Sequence, residues 1–288
     1  MDRLDDDLLK RCASYLAPGE MVSLGRVARR FGLPGGDPGG SPPDDSSLVE
    51  AAARDAFSQA ATDDDRLALP RYDNESSVCL YNELVKLRTP LEFNQLIGED
   101  VYLLSKSHVR VSSDNSRYWN SAISSSVMRS GRHYANFDII VVNRYLDAHV
   151  NVGVIRPIKG WDDRGIENFL PSIIESYDSV SQDLLAERTD KWHGDVHCCS
   201  YYCLDGSCRR TDWYTRSNND WVGRDSLRQP GTIGLLLDLV EGSLSVYKDG
   251  GRLGIMATGL MGEYCWFASM AVGNSSVRLE RGTLSETG

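Results

Sequence analysis

The chain has 288 residues, 41% of them apolar and 25% charged, and a formal net charge of −10. That length suits one large domain beside a smaller one, and that apolar share is enough for a true core. The acidity argues against the clustered positive surface that nucleic acid or an anionic membrane needs, so no nucleic-acid and no membrane partner is expected.

The N-terminal stretch MDRLDDDLLK intersperses apolar residues with charges, which is unlike a signal or transit peptide. No run approaches the roughly 18–20 apolar residues of a membrane span. Seven cysteines, an odd number, fit a reducing compartment better than a complete disulfide framework. The chain is therefore expected to be intracellular, in cytoplasm or nucleus, with the sequons at Asn74 and Asn274 as chance matches.

Residues 1–31 predict two short helices. Leu4, Leu8, Leu9, Cys12, Tyr15 and Leu16 recur at spacings of three and four, which builds one apolar stripe. Asp5, Asp6 and Asp7 suit the positive end of the helix dipole, and Pro18-Gly19 ends the helix. Met21, Leu24, Val27, Ala28 and Phe31 repeat the spacing in the second helix. Residues 32–47 are Gly/Pro/Asp/Ser-rich and read as a flexible insertion. The Ala-rich run 48–61 predicts a helix capped at Ser46 or Ser47. Thr62 to Asp65 reads as an acidic break. Residues 77–89 predict another amphipathic helix that stops before Pro90.

After residue 98 the period changes. Short runs rich in Val, Ile, Tyr and Ser alternate with Gly/Asn/Asp turns, which predicts an all-β sandwich or barrel. The expected strands are Val101–Leu104, Val109–Ser112, Ala122–Val127, His133–Val142, Val150–Ile155, Val196–Tyr202, Thr232–Leu239, Ser243–Lys248, Arg252–Met256, Tyr264–Ala271 and Ser276–Leu279. Asp249-Gly250 predicts a type I′ hairpin turn. Residues 156–194 show no strand pattern and read as a long excursion with a helix near Val180–Arg188.

Two stretches resemble the SPRY domain family. Residues 127–157, VMRSGRHYANFDIIVVNRYLDAHVNVGVIRP, place Gly131, Phe137, Gly153 and Pro157 in the family's order. Residues 221–280 carry the G-x-IG-x-x-x-D strand at Gly231–Asp238, the G-x-LS-x-Y-K-x-G hairpin at Gly242–Gly250 (Asp249 standing where Asn is usual), and the YCWFAS strand. The resemblance implies a mainly β fold, a SPRY-like antiparallel β-sandwich over residues 95–282 with a small N-terminal helical module, acting as a protein-binding domain and not as an enzyme core. Leu235, Leu237, Leu244, Val246, Trp266 and Val272 are its natural core residues. Gly231 and Gly234 fall where close sheet packing would require glycine.

Residues 4–31 resemble an F-box, with Leu4, Leu8, Leu9, Tyr15, Leu16, Leu24, Val27, Arg30 and Phe31 in the family's order. Asp5 stands where that family has proline, no tryptophan follows the linker, and the Gly/Pro insertion lengthens the spacing. A plain helical hairpin is the other reading of these stripes. The organisation is then 1–60 as the F-box-like module, 61–94 as a helical connector, 95–282 as the sandwich and 283–288 as a tail.

One cluster invites a metal reading. His193, His197, Cys198, Cys199, Cys203 and Cys208 are residues that zinc prefers. Their spacing is Cys-x3-Cys-x4-Cys with an adjacent pair, no matching C-x2-C lies elsewhere, and Cys198 and Cys199 on a strand would point to opposite faces. They read as ordinary buried or loop cysteines. Gly35-Gly36 and Gly39-Gly40 lack the Lys-Ser/Thr of a phosphate loop, and no G-x-S-x-G elbow occurs. No catalytic residue, metal or cofactor is expected.

The resemblances together imply the substrate-recognition subunit of an SCF-type cullin-RING ubiquitin ligase. Leu4, Leu8, Leu9, Leu16, Leu24, Val27 and Phe31 would dock a Skp-type adaptor, itself bound to cullin. The sandwich would hold a target protein with loop residues, for which Tyr134, Tyr145, Trp161, Trp213, Tyr214, Trp221 and Gly223 are the candidates. Trp221 in the DWVG segment resembles a tryptophan that contacts peptide in some SPRY proteins. A SPRY scaffold or peptide-binding protein without a ubiquitin role, and a zinc-dependent protein centred on His193–Cys208, are the competing readings.

Overall fold

Proline at a helix start and glutamate in its first turn suit the free amides there, and residues 18–27 have both. The computed structural model describes residues 6–27, 47–73, 75–112, 118–140, 149–227, 230–271 and 275–282, and the chain divides into two units, residues 1–89 and 90–288. In the first unit α1 spans Asp6–Ala13, α2 Pro18–Val27, α3 Leu48–Ala60, α4 Asp63–Ala68 and α5 Ser77–Arg88. Pro18, expected to end the first helix, opens the second. The acidic break at Thr62–Asp65 is a helix start instead: Thr62 and Asp65 form a reciprocal capping box that launches α4.

This unit has its own core. Met21 of α2, Val49, Ala53 and Ala56 of α3 and Val78 of α5 pack together, with Leu16 and Tyr81 partly buried against them. Small residues on α3 let its neighbours approach closely. Glu50 of α3 is buried and accepts the Ser77 amide at 2.6 Å, which satisfies a free donor in the first turn of α5. Residues 61–94, expected as a connector, therefore contribute a helix to this core up to Arg88. Arg88 closes it by pairing with Asp65 at 2.6 Å.

The second unit is built of strands. In chain order β1 is Phe93–Ile97, β2 Val101–Ser105, β3 His108–Val111, β4 Asn120–Ser124, β5 Arg132–Ile140, β6 Val150–Ile155, β7 Cys198–Tyr202, β8 Ser207–Thr211, β9 Arg216–Asn219, β10 Gly231–Asp238, β11 Ser243–Lys248, β12 Gly251–Thr258, β13 Cys265–Met270 and β14 Ser276–Arg281. Among the described residues they form two seven-stranded sheets. The first runs β1-β4-β13-β6-β7-β8-β9 and the second β12-β11-β10-β5-β14-β3-β2, and their neighbouring strands pair antiparallel. This is an antiparallel β-sandwich, the architecture that the SPRY resemblance implied.

Strand alternation sends one face of each sheet into a shared core. Ala135, Phe137 and Ile139 of β5 and Ile233, Leu235 and Leu237 of β10 meet Val150, Val152 and Val154 of β6 and Trp266 and Met270 of β13. Phe137 and Trp266 meet edge to face at 6.0 Å. Each such large side chain contributes about 1.5–3 kcal/mol when fully buried. Leu244 and Val246 join the same core, as expected, while Val272 lies outside the described residues. The β11–β12 turn has φ of +49° at Asp249 and +83° at Gly250, the two positive values that a type I′ turn demands.

Three strands were not foreseen. In β8 and β9, SCRRT and RSNN are too polar to show an alternating apolar face, and β1 falls beside the proline that ends the helical pattern. The larger departure is residues 156–194. They do not loop into solvent but lie over the outer face of the first sheet as a third layer. Ile158, Trp161, Phe169, Ile174, Leu184 and Trp192 form a second apolar cluster with Ile123, Ile155, Cys198, Trp213 and Phe267 from the sheet and its turn. Two short 3-10 turns, at Asp162–Arg164 and Pro171–Ile173, and α6 at Ser181–Ala186 are its regular pieces.

Backbone groups without strand partners must bond elsewhere. Side chains of the first sheet supply those bonds. Gln95 donates to the Ile158 carbonyl at 2.6 Å and accepts the Trp161 amide at 3.2 Å. Ser121 donates to the Phe169 carbonyl and Thr211 to the Ile174 carbonyl, each at 2.6 Å. Arg156, fully buried at the start of the layer, donates to the carbonyls of Met261, Glu263 and His193 and lies over the Tyr264 ring.

Candidate binding surface

The aromatic residues expected to grip a target do not share one surface. Trp161 and Trp213 are fully buried in the third layer, so they are scaffold and not loop anchors. The reason is geometric. Trp213 sits at the β8–β9 turn with φ of +65°, which aims its ring back into the layer, where its indole donates to the Pro171 carbonyl at 3.2 Å. Ser181 fixes the strained peptide by donating to the Trp213 carbonyl at 2.5 Å. Tyr214, next in sequence, points out and is 60% exposed.

Tyr134 lies on the outer face of the second sheet, edge-on to Tyr247 at 5.4 Å. Its ring occupies the space that side chains at Gly234 and Gly282 would need. The glycine of the G-x-IG-x-x-x-D signature is thus a seat for Tyr134. Tyr145 lies outside the described residues.

Trp221 and Gly223 do come together. The segment 220–227 crosses from the edge of the first sheet toward edge strand β12 of the second. The Trp221 indole donates to the Gly206 carbonyl at 2.8 Å, and its ring meets Tyr201 edge to face at 6.5 Å. A side chain at Gly223 would collide with the Leu253 carbonyl and the Trp221 ring, so only glycine permits this close approach to β12. Arg224 binds Asp205 at 2.8 Å and also pairs with Asp220, Lys248 binds Asp225 at 2.6 Å, and Tyr201 donates to the Asp225 carbonyl. These bonds hold Asp205 and Asp225 as carboxylates: Lys248 lowers the Asp225 value, and the Ser207 and Arg224 contacts outweigh burial at Asp205.

The segment walls an open cleft of about 360 Å³, lined by Arg210, Asp220, Trp221 and residues 255–258 of β12. Ile255 is 51% exposed on its rim, and Val222 is fully exposed on the wall segment. The lining is more polar than apolar, with Arg210, Asp220 and Thr258 beside Trp221 and Ile255. β12 itself departs from regular pairing at two places in its register with β11, which twists the edge and discourages uncontrolled strand addition. Arg210 and Ile255 were not anticipated, because they stand on strands of different sheets, β8 and β12, and line one cleft only in the assembled sandwich.

A second polar site lies on the outer face of the first sheet, farther along the strands from Trp213. Asn151 of β6 pairs with Tyr202 of β7, and Ser200 of β7 with Arg209 of β8. The Arg209 guanidinium lies 3.4 Å from the Tyr202 ring centroid, and burial lowers its pKa from the usual guanidinium value. The Tyr202 hydroxyl and His149 Nδ1 are 2.7 Å apart, and Trp119 meets both rings at 6.3 Å. Sequence reading passed over this group because its members are single polar residues scattered over 91 positions, from Trp119 to Arg209.

The cysteines divide. Cys198 faces the third layer and Cys199 the sandwich core, as strand alternation required. Cys199 Sγ lies 3.8 Å from Cys208 Sγ, and burial together with that contact raises the Cys199 value. His197 lies between Trp192 and Trp213, tilted to the first ring at 5.7 Å and edge-on to the second at 5.1 Å. Among the described residues no group of His, Cys, Asp and Glu side chains converges on a metal position.

In the helical unit the expected adaptor residues Leu9, Leu16 and Leu24 are half-buried and Leu8 is 49% exposed. Leu4 and Phe31 lie outside the described residues, and of Val27 only its place in α2 is described. Among the described residues no helix is long and apolar enough to cross a membrane.

No family model and no curated protein matches the chain. Solved structures similar to it include the SPRY domain of human HERC1, at 14% identity over 68% of this chain and 99% of that one, with a TM-score of 0.46. A second human SPRY domain aligns at 14% identity over 65% and 97%, with a TM-score of 0.43. The TRIM65 PSpry domain aligns at 16% identity over 67% and 93%, with a TM-score of 0.41.

Proposed function

We propose that this chain is a protein-binding receptor whose helical unit docks a Skp-type adaptor of a cullin-RING ubiquitin ligase and whose sandwich holds a target protein. The observation that carries the adaptor half is the exposure of Leu8 and Tyr15, at 49% and 80%. Leu8 lies on α1 and Tyr15 in the turn that follows it, while Ala13 and Met21 are buried in the unit. Exposed apolar residues beside a buried core are what an adaptor would cover. On the sandwich, the cleft walled by Trp221 is the target anchor. The chain itself performs no covalent step; it raises the effective concentration of target near the transferred ubiquitin.

The test is co-expression of the full chain with a Skp-type adaptor, with and without Leu8→Asp plus Tyr15→Asp. The expected result is a stable complex that the double substitution abolishes while the melting temperature is kept. Absence of a complex, or one indifferent to the substitutions, would sink the adaptor half and favour a scaffold with no ubiquitin role.

A further inference from the structure

Strand β2, Val101–Ser105, ends the second sheet, and among the described residues no strand pairs with its far edge. Tyr102, Leu103 and Leu104 on it are exposed, at 39, 42 and 44%. An open edge is a template for another chain, and natural sheets blunt such edges with charges, proline or irregular register. Two other edges are blunted in that way: β12 carries Arg252 and two register breaks, and β9 carries Arg216. The β2 sequence, VYLLS, has neither charge nor proline, and its one register shift falls at its end, between Leu103 and Ser105.

The backbone fixes which groups are free. The Asp100 carbonyl accepts the Ser112 amide at 2.8 Å, and Tyr102 stands opposite Arg110. Alternation along an antiparallel ladder then turns the amides and carbonyls of Val101 and Leu103 outward. Of the antiparallel registers that bond these groups to a second β2, one engages all five residues, with Leu103 opposite Leu103 of the second copy. That register sets Val101 against Ser105 and Tyr102 against Leu104, and just beyond the strand it sets Asp100 against Lys106, each pair occurring twice. Opposite charges thus meet at both ends of an uncharged strand. Lys106 can serve this pairing, because its bond to Glu92 at 3.3 Å is made by a side chain that is 79% exposed, and an ammonium has three donors.

We infer that β2 is a self-association edge, on which a second copy of this chain adds antiparallel about a two-fold axis at Leu103. Tyr102 of each copy lies across from Leu104 of the other at a site without ladder bonds, where side chains approach most closely. The Asp100–Lys106 pairs close both ends. Both copies use the same patch, so assembly stops at two. A five-residue strand pair belongs to the small, weak class of interface, below about 1,200 Å² of buried surface, so the dimer forms as concentration rises.

Sedimentation equilibrium of the full chain, from about 10 µM to about 0.5 mM, tests this. The expected result is a reversible monomer–dimer equilibrium. Asp100→Lys alone and Lys106→Asp alone each set like charges opposite one another at both ends, and each should weaken the dimer about tenfold. An equimolar mixture of the two variants should regain it, because in the mixed dimer both ends again pair opposite charges. Leu103→Pro, which removes an outward amide and no bond to β3, should abolish the dimer with the melting temperature kept. A chain monomeric throughout, which would leave the edge to an extended segment of another protein, overturns the inference. Species larger than a dimer, a dimer indifferent to the charge reversals, or a mixture no tighter than its parts would overturn it equally. Neither adaptor nor target enters this measurement, so its outcome and that of the adaptor test are independent.

Discussion

Residues 156–194 and residues 220–227 are both held without strand pairing, and by opposite means. The first segment is fixed by burial: Trp161, Phe169, Leu184 and Trp192 sink into one apolar cluster, and sheet side chains satisfy its carbonyls. The second is fixed by polar bonds at its rim: Arg224 to Asp205, Lys248 to Asp225, and the Trp221 indole to Gly206. Burial consumes the side chains that it uses. Polar bonding to the backbone leaves the outer surface of the segment, with Val222 and the Trp221 face, available to a partner. A tryptophan outside a strand can therefore be scaffold or binding wall, and what decides is whether a sheet face beneath it needs covering.

That contrast can be broken most directly at its centre. Trp213→Ala is expected to destabilise the sandwich by about 3–5 kcal/mol, the range for a large buried aromatic. Trp221→Ala, at a half-exposed position, should cost about 1–2 kcal/mol and act mainly on target capture. Urea unfolding of the two variants side by side decides this, and equal losses would refute the distinction.

Acid is the next probe. His197, between Trp192 and Trp213, is held down to about 4 by burial and then by the Arg156 and Arg188 charges, against the pull of Asp212. His133 is also held down to about 4 by burial, against its bond to the Ser130 carbonyl. Both therefore stay neutral in the folded chain where the unfolded chain would already bind protons. Their contribution is complete above the ordinary histidine value of about 6.5 and is lost as pH falls from there toward 4. Each histidine should add a slope approaching about 1.4 kcal/mol per pH unit in that window. His197→Phe, which keeps the ring contacts, should remove its share of the slope; an unchanged slope would show that the third layer does not exclude the proton.

Gly223→Ala should cost the fold about as much as Trp221→Ala, about 1–3 kcal/mol, from the displaced approach to the Leu253 carbonyl. Its effect on the cleft should be larger than its effect on the fold. Measuring target capture and melting temperature together tests this, and a variant that melts early but captures normally would place the binding wall elsewhere.

Much of the sandwich was legible because strand alternation and turn chemistry are local. The Asp249-Gly250 turn, the β11–β12 hairpin that it closes and the inward Leu235, Leu237, Leu244 and Val246 all follow from residues within a short window. The candidate sites were much less legible. Arg210 and Ile255 line one cleft although they stand on strands of different sheets, and Asn151 meets Arg209 only through β7. The helical unit shows the same limit: Glu50 looks like a surface residue of an Ala-rich helix until α5 brings its first amide to it.

By itself, the sequence determined the order of helices and then strands, the hairpin turn at Asp249-Gly250, and the division of Cys198 from Cys199, because each follows from backbone geometry and periodicity over a few residues. Only the tertiary structure decided which tryptophans are interior, that residues 156–194 form a layer, and that Asn151 is buried beside Ser200 and Arg209. Those outcomes depend on which distant faces cover one another, and burial is a property of the assembled surface and not of any segment within it.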